Sequence, residues 1–207
     1  MPLLRILAIT GAEMGRKVRR VPVTLDARGV QRLTDAEIRV MLRGADDLIM
    51  RGGRGLLAKV LKGSKQKVIF EKELDQSPVY GALSELSITE ITARIDWLII
   101  DGYLAIAYDY RLPLLVYTSL GWTIERETYA DELLARLDRC MEDDNVDHDL
   151  SWLTEKNPGV LELVLERIAE SGDRNYLPVL ARWRKLSSKR FGRRIGRSVR
   201  ALTQGGA

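Results

Sequence analysis

Lys62, Gly63, Ser64 and Lys65 stand consecutively, and Lys67 follows two residues on. Two ammonium groups flanking a glycine and a serine suit a phosphate. The lysines supply charge, the serine a hydroxyl, and a helix starting there would add main-chain N–H groups. The run Asp109-Tyr110-Arg111-Leu112-Pro113 holds a second candidate pair. Tyr110 offers a ring that can stack on a base, and Arg111 a guanidinium that can pair with phosphate or stack as a cation. Near the end of the chain Arg190, Arg193, Arg194, Arg197 and Arg200 recur at helical spacing, an arrangement that attracts polyanions.

Other chemistries lack their residues. The Gly63-Ser64-Lys65 triplet is not a Walker A loop, because the string Gly-x-x-x-x-Gly-Lys-Ser/Thr does not occur. One cysteine, Cys140, and one histidine, His148, make neither a disulfide nor a zinc site nor a nucleophilic triad. Asp143, Asp144, Asp147 and Asp149 cluster, and read as an acidic linker rather than a cation site. No enzyme activity, cofactor or metal is expected. The single cysteine suits a reducing cytoplasm, and a nucleoid-associated location is expected. The start, Met1 to Thr10, is apolar but short, and reads as a strand or terminal arm, not a signal peptide. No apolar run reaches the ~18–20 residues needed to span a bilayer, so no membrane partner is expected.

The 207 residues are 45% hydrophobic and 30% charged, a globular balance. Their net charge of +4 is unevenly distributed. Residues 1–72 carry +9, residues 73–173 carry −15, and residues 174–207 carry +10 with no acidic side chain. Two basic ends around an acidic middle predict that the ends grip a polyanion.

These candidate groups need elements to hold them. Residues 16–25 alternate basic and apolar and predict an exposed edge strand, with Pro22 at the edge. Thr34-Asp35-Ala36-Glu37 and Ser87-Ile88-Thr89-Glu90 are capping boxes. The first opens a helix with Ile38, Met41, Leu42, Ala45, Leu48 and Ile49 inward, stopped by Gly52-Gly53. A second helix buries Leu56, Leu57, Val60 and Leu61 and ends near Gly63, and residues 64–73 read as helical again. The helix after Ser87 places Ile88, Ile91, Ile95, Leu98 and Ile99 on one face, with Gly102 as its stop. Strands from Tyr103 to Tyr108 and from Leu114 to Thr118 form a hairpin. Helix, helix, helix, hairpin is the order of a winged helix, a helix-turn-helix relative. A helix over 126–141 follows, with Leu133, Leu134, Leu137 and Met141 inward, then the acidic linker. Asn157-Pro158 starts a helix that buries Leu161, Val164, Leu165 and Ile168. A partner contains Leu177, Leu180, Trp183 and Leu186. The last helix carries Phe191, Ile195, Val199 and Leu202 on one face.

A family resemblance rests on pieces that occur in one order. They are Leu61-Lys62-Gly63-Ser64-Lys65, Pro78-Val79-Tyr80-Gly81, Leu86-Ser87-Ile88-Thr89-Glu90-Ile91, Leu98-Ile99-Ile100-Asp101-Gly102-Tyr103-Leu104 and Tyr117-Thr118-Ser119-Leu120-Gly121. Together they resemble the RQC domain, the winged-helix module that follows the ATPase core in RecQ-family DNA helicases, and the stand-alone bacterial proteins that carry it without a helicase. The resemblance implies duplex DNA binding, often at a junction with single strand. It implies phosphate contacts at Lys62, Gly63, Ser64, Lys65 and Lys67, and a strand-separating wedge at Tyr110 and Arg111. The helix after Ser87 departs from a base-reading helix: it offers Glu90, Arg94, Asp96 and Asp101, not the Arg, Lys, Asn or Gln that read base edges. That acidic face leaves room for a protein partner. The C-terminal helices resemble a degenerate HEAT-type pair, through Ser171-Gly172-Asp173 and Tyr176-Leu177-Pro178-Val179-Leu180.

The expected fold is therefore mainly α with a small β-hairpin: a winged helix plus a small helical C-terminal domain. The expected boundaries are a basic arm over 1–33, the winged helix over 34–126, a helix and acidic linker over 127–149, and the helical domain over 150–207. The expected function is non-catalytic binding of duplex, forked or branched DNA in repair or replication, with Arg193, Arg194 and Arg197 adding to the grip. The alternatives are a winged-helix transcription regulator and a protein-interaction adaptor. Phosphate grip alone does not choose between DNA and RNA.

Overall fold

The computed structural model describes residues 19–142 and 149–204. Asp143, Asp144, Asp147 and His148, and residues 1–18 of the basic arm, with the strand or terminal arm expected from Met1 to Thr10, lie outside the described residues. The first helix, α1 (Asp35–Asp46), opens on a complete capping box: Thr34 accepts from the Glu37 N–H and the Glu37 carboxylate accepts from the Thr34 N–H. Helix α2 (Arg54–Lys62) ends on Gly63, whose φ of 72° is the left-handed conformation that glycine adopts without strain. Helix α3 spans only Lys67–Glu71 and gives way to a 3-10 turn over Leu74–Gln76. The single helix expected over 64–73 is thus broken, because Glu73 itself turns left-handed at φ 54°. Helix α4 (Ile88–Ile100) opens on the second capping box, Ser87 with Glu90.

Strands β1 (Leu104–Asp109) and β2 (Leu112–Tyr117) pair antiparallel, Leu104 opposite Tyr117 and Asp109 opposite Leu112. The turn between them is only Tyr110-Arg111, tighter than the five-residue tip expected from the sequence. The loop after α1 extends this ribbon: the Met50 N–H donates to the Leu115 carbonyl, and the Leu115 N–H donates to the Gly52 carbonyl, both at 2.9 Å. Met41, Leu42, Leu57, Leu61, Ile91, Ile95, Leu98, Leu104 and Leu115 fill the core beneath, each at most 1% exposed.

Helix α5 runs unbroken from Ser119 to Glu142, starting seven residues before the helix expected from periodicity. Gly121 conceals this start, since glycine reads as a stop in a sequence. Here it lies inside the first turn, where a Cβ would stand 2.0 Å from the Tyr103 carbonyl oxygen. Ile124 packs on the first core, whereas Tyr129, Ala130, Leu133 and Leu137 belong to a second. The second core is completed by a 3-10 turn (Ser151–Leu153), α6 (Pro158–Ser171), α7 (Leu177–Leu186) and α8 (Lys189–Gln204). Asn157 caps α6 through its side chain and Pro158 stands at the first helical position. The architecture is mainly helical with one small hairpin: a winged helix joined to a helical unit.

Residues 19–25 form no strand. They lie along the hairpin tip, where the Val21 N–H donates to the Arg111 carbonyl at 3.1 Å. Pro22 lacks the N–H that a continuing ladder would use. No helix among the described residues is long and apolar enough to cross a membrane.

Candidate nucleic-acid interface

The corner between α2 and α3 carries the first group. The Gly63 N–H donates to the Val60 carbonyl and the Ser64 N–H to the Lys59 carbonyl, both at 2.9 Å, closing the end of α2. These N–H groups are committed to a helix C-terminus, so they are not the free donors of a helix start that the sequence suggested. The corner is braced from the Pro78–Gly81 turn. Tyr80 donates its hydroxyl to the Ser64 carbonyl at 3.0 Å, and the Gly81 N–H donates to the Val60 carbonyl at 3.0 Å. Lys62 bends back to donate its ammonium to the Ser84 carbonyl. Lys65 and Lys67 face solvent. Lys67 also pairs with Glu71 at 2.8 Å across one helical turn, but remains 88% exposed, so the pair holds it weakly.

The wing tip carries the second. Tyr110 is 72% exposed and its backbone is left-handed at φ 51°. Arg111 is held: its Nε donates to the Arg19 carbonyl at 3.1 Å. Tyr108 donates its hydroxyl to the Val21 carbonyl at 3.0 Å, and the Arg20 guanidinium lies 4.9 Å from the centre of the Tyr108 ring. The Arg19 main chain and the Arg20 guanidinium thus pack on the strand ends beside the turn that exposes Tyr110. Sequence reasoning missed Arg19 and Arg20 as tip residues, because their partners stand about 90 positions further on. The one local signal was the basic–apolar alternation of that stretch.

One flank of helix α4 is covered. Asp96 is not on its outer face but 2% exposed, a correction to the face expected from spacing. One nitrogen of Arg54 donates to both Asp96 oxygens at 2.5 and 2.6 Å, and the Asp26 N–H donates to the same carboxylate at 2.9 Å. Trp97 donates its indole N–H to the Gln31 carbonyl at 3.1 Å. Residues 26–31 thus cover the flank of α4. Arg94 is drawn toward Glu37 at 3.4 Å. Glu90 accepts from Ser87, side chain and main chain, which holds its carboxyl below the usual range.

Helix α8 carries the third. Ile195, Ser198 and Leu202 are buried, while Lys189, Arg190, Arg193, Arg197 and Arg200 face solvent. Arg194 is turned aside and pairs with Glu162 of α6, which separates it from Arg193 and Arg197. The three groups stand on three separate elements, and only the first two belong to the winged helix.

Helices, ribbon and capped turns in this order define a winged-helix domain. The family model of the RQC domain matches residues 34–132, from the first capping box into the middle of α5. The RQC domain is a non-catalytic winged-helix module associated with RecQ helicases, and it points to DNA binding. No curated protein and no solved structure matches the chain.

Proposed function

We propose that the protein binds duplex DNA without catalysis and favours forks or branches, acting in repair or replication. The wing carries this reading: a firm two-residue turn presents Tyr110 to solvent, with Arg111 next to it in the turn and Arg20 over the ring of Tyr108 at the end of β1. A ring so placed stacks on the last base pair at a junction, a contact worth about 1–3 kcal/mol per base. The guanidinium groups hold the flanking phosphates. Lys65 and Lys67 add contacts to the duplex that carry no sequence information. The covered flank of α4 supports structure over sequence as the feature recognised, and disfavours an operator-reading regulator.

A mobility-shift panel tests this, using blunt duplex, fork, four-way junction, single strand and duplex RNA at two salt concentrations. Forked DNA is expected to bind more tightly than matched duplex, with affinity falling steeply as salt rises. Equal affinity for every substrate, or preference for RNA, refutes the assignment.

A further inference from the structure

Helix α8 turns a single cationic face outward, and it does so from the second core rather than from the winged helix. At about 100° per residue, Arg190, Arg193, Arg197 and Arg200 fall within an arc of about 80°, and they span about 15 Å of helix. All four are exposed. Over that length duplex DNA carries about nine phosphate charges, so the stripe fits a stretch of duplex backbone laid along it.

The path from this stripe to the winged helix is blocked. Helix α8 packs on α6 and α7, α6 packs on α5, and α5 packs on α1. Two helix layers, about 20 Å of protein, thus stand between α8 and the first core. That is more than twice the screening length of about 8 Å at physiological salt, so the two cationic surfaces act independently. The layer between them also presents Glu127, Asp131, Glu166 and Glu170 at least partly to solvent, within a stretch whose net charge is −15. Duplex DNA is stiff over about 150 base pairs, and does not readily fold around an acidic layer to reach both surfaces.

We infer that α8 holds a second segment of duplex, so that one molecule bridges two duplexes or two arms of one branched molecule. This rests on the DNA-binding reading above. The winged helix occupies one segment; the arginine stripe grips the other through its phosphates, without regard to sequence.

The test uses the full chain. A biotinylated 30-base-pair duplex is fixed to beads, protein is added, and retention of a second, fluorescent duplex is measured. Binding to one duplex is followed separately by anisotropy. The fluorescent duplex is expected to be retained, with a maximum at intermediate protein concentration and a fall when excess protein occupies each duplex alone. Arg193→Glu with Arg197→Glu is expected to cut retention at least tenfold, while single-duplex binding through the winged helix persists. Arg193→Gln with Arg197→Gln, which keeps the helix polar without reversing its charge, is expected to reduce retention in the same direction. Circular dichroism checks that both variants fold. Binding without retention overturns the bridging inference alone. Retention that survives both variants also overturns it, by assigning the bridge to paired copies of the chain. Retention of duplex RNA in place of DNA overturns the choice of partner. Absence of any duplex binding overturns the underlying DNA reading as well.

Discussion

Glu125 of α5 stands 3.9 Å from the Arg43 guanidinium of α1, yet neither of its carboxyl oxygens has a hydrogen-bond partner among the described residues, and it is 0% exposed. Arg43 is engaged elsewhere, donating to Glu132 at 2.6 Å and lying 4.1 Å from the centre of the Tyr129 ring. Burial dominates, and Asp46 and Glu132 reinforce it against Arg43, pushing the Glu125 carboxyl up to about 8. At neutral pH the folded protein keeps this group protonated, whereas the unfolded chain ionises it.

The sign follows from linkage. Below pH ~4.5 both states are protonated, and nothing is lost. Between ~4.5 and ~8 the unfolded state alone releases the proton, so stability falls by about 1.4 kcal/mol per pH unit, reaching about 3 kcal/mol at pH 7. Glu125→Gln removes that loss. The variant is expected to melt several degrees above the parent at pH 8 and close to it at pH 5. A Tm difference that does not grow with pH contradicts the buried-acid account.

Tyr110 holds its left-handed backbone at φ 51° without being glycine. Such a residue costs about 1–3 kcal/mol, and glycine adopts the same conformation freely. Tyr110→Gly is therefore expected to keep or raise the melting temperature while abolishing preference for a fork over a duplex. Tyr110→Ala with Arg111→Ala is expected to weaken fork binding more than duplex binding. If fork and duplex affinities are unchanged in both variants, the tip is not a wedge.

Lys65 stands exposed at the braced corner. Lys65→Glu is expected to weaken all duplex-bearing substrates by the same factor and to lower the log–log salt slope by about 0.9. A titration over 50–200 mM salt reads both. A loss confined to forks would place Lys65 in junction recognition instead.

Gly121 and Gly102 make a matched pair for stability. A Cβ on Gly121 would meet the Tyr103 carbonyl oxygen at 2.0 Å, whereas one on Gly102 would meet nothing within 4 Å among the described residues, although its φ is 81°. Gly121→Ala must push the hairpin away from α5 and is expected to cost about 2–4 kcal/mol. Gly102→Ala pays only for its backbone conformation, about 1 kcal/mol. Urea midpoints of the two variants check the order.

How much of this was legible is clear from particular residues. Both capping boxes and the Gly63 stop are local signals, and the structure realises each one. The fifth helix was half read, because Gly121 is chosen for the carbonyl of Tyr103, which leads into β1. Asp96 followed helical spacing onto a surface, but its partner Arg54 lies 42 residues away and draws it inside. Glu125 carried no sequence signal, since one carboxylate among several on α5 looks alike until the opposite helix is placed. In the RQC-like pieces, Gly63 and Gly81 belong together for a spatial reason: a Cβ on Gly63 would come 3.0 Å from the Gly81 Cα. Their spacing in the sequence therefore records a three-dimensional contact.

Helix α5 has 24 residues and is about 36 Å long. Its Ile124 packs on the first core, while Trp122, Tyr129, Ala130, Leu133 and Leu137 pack on the second. A cut after residue 132, where the family match ends, would sever one rod shared by two cores and strip Tyr129 and Ala130 from the second core they serve. Neither unit is therefore a detachable cassette: grafting the winged helix onto another protein requires carrying the whole rod and replacing what lies against its far half. The same rod acts as a fixed strut. A load applied at the wing passes along it to the helical unit, and the two are expected to unfold together under force rather than one after the other.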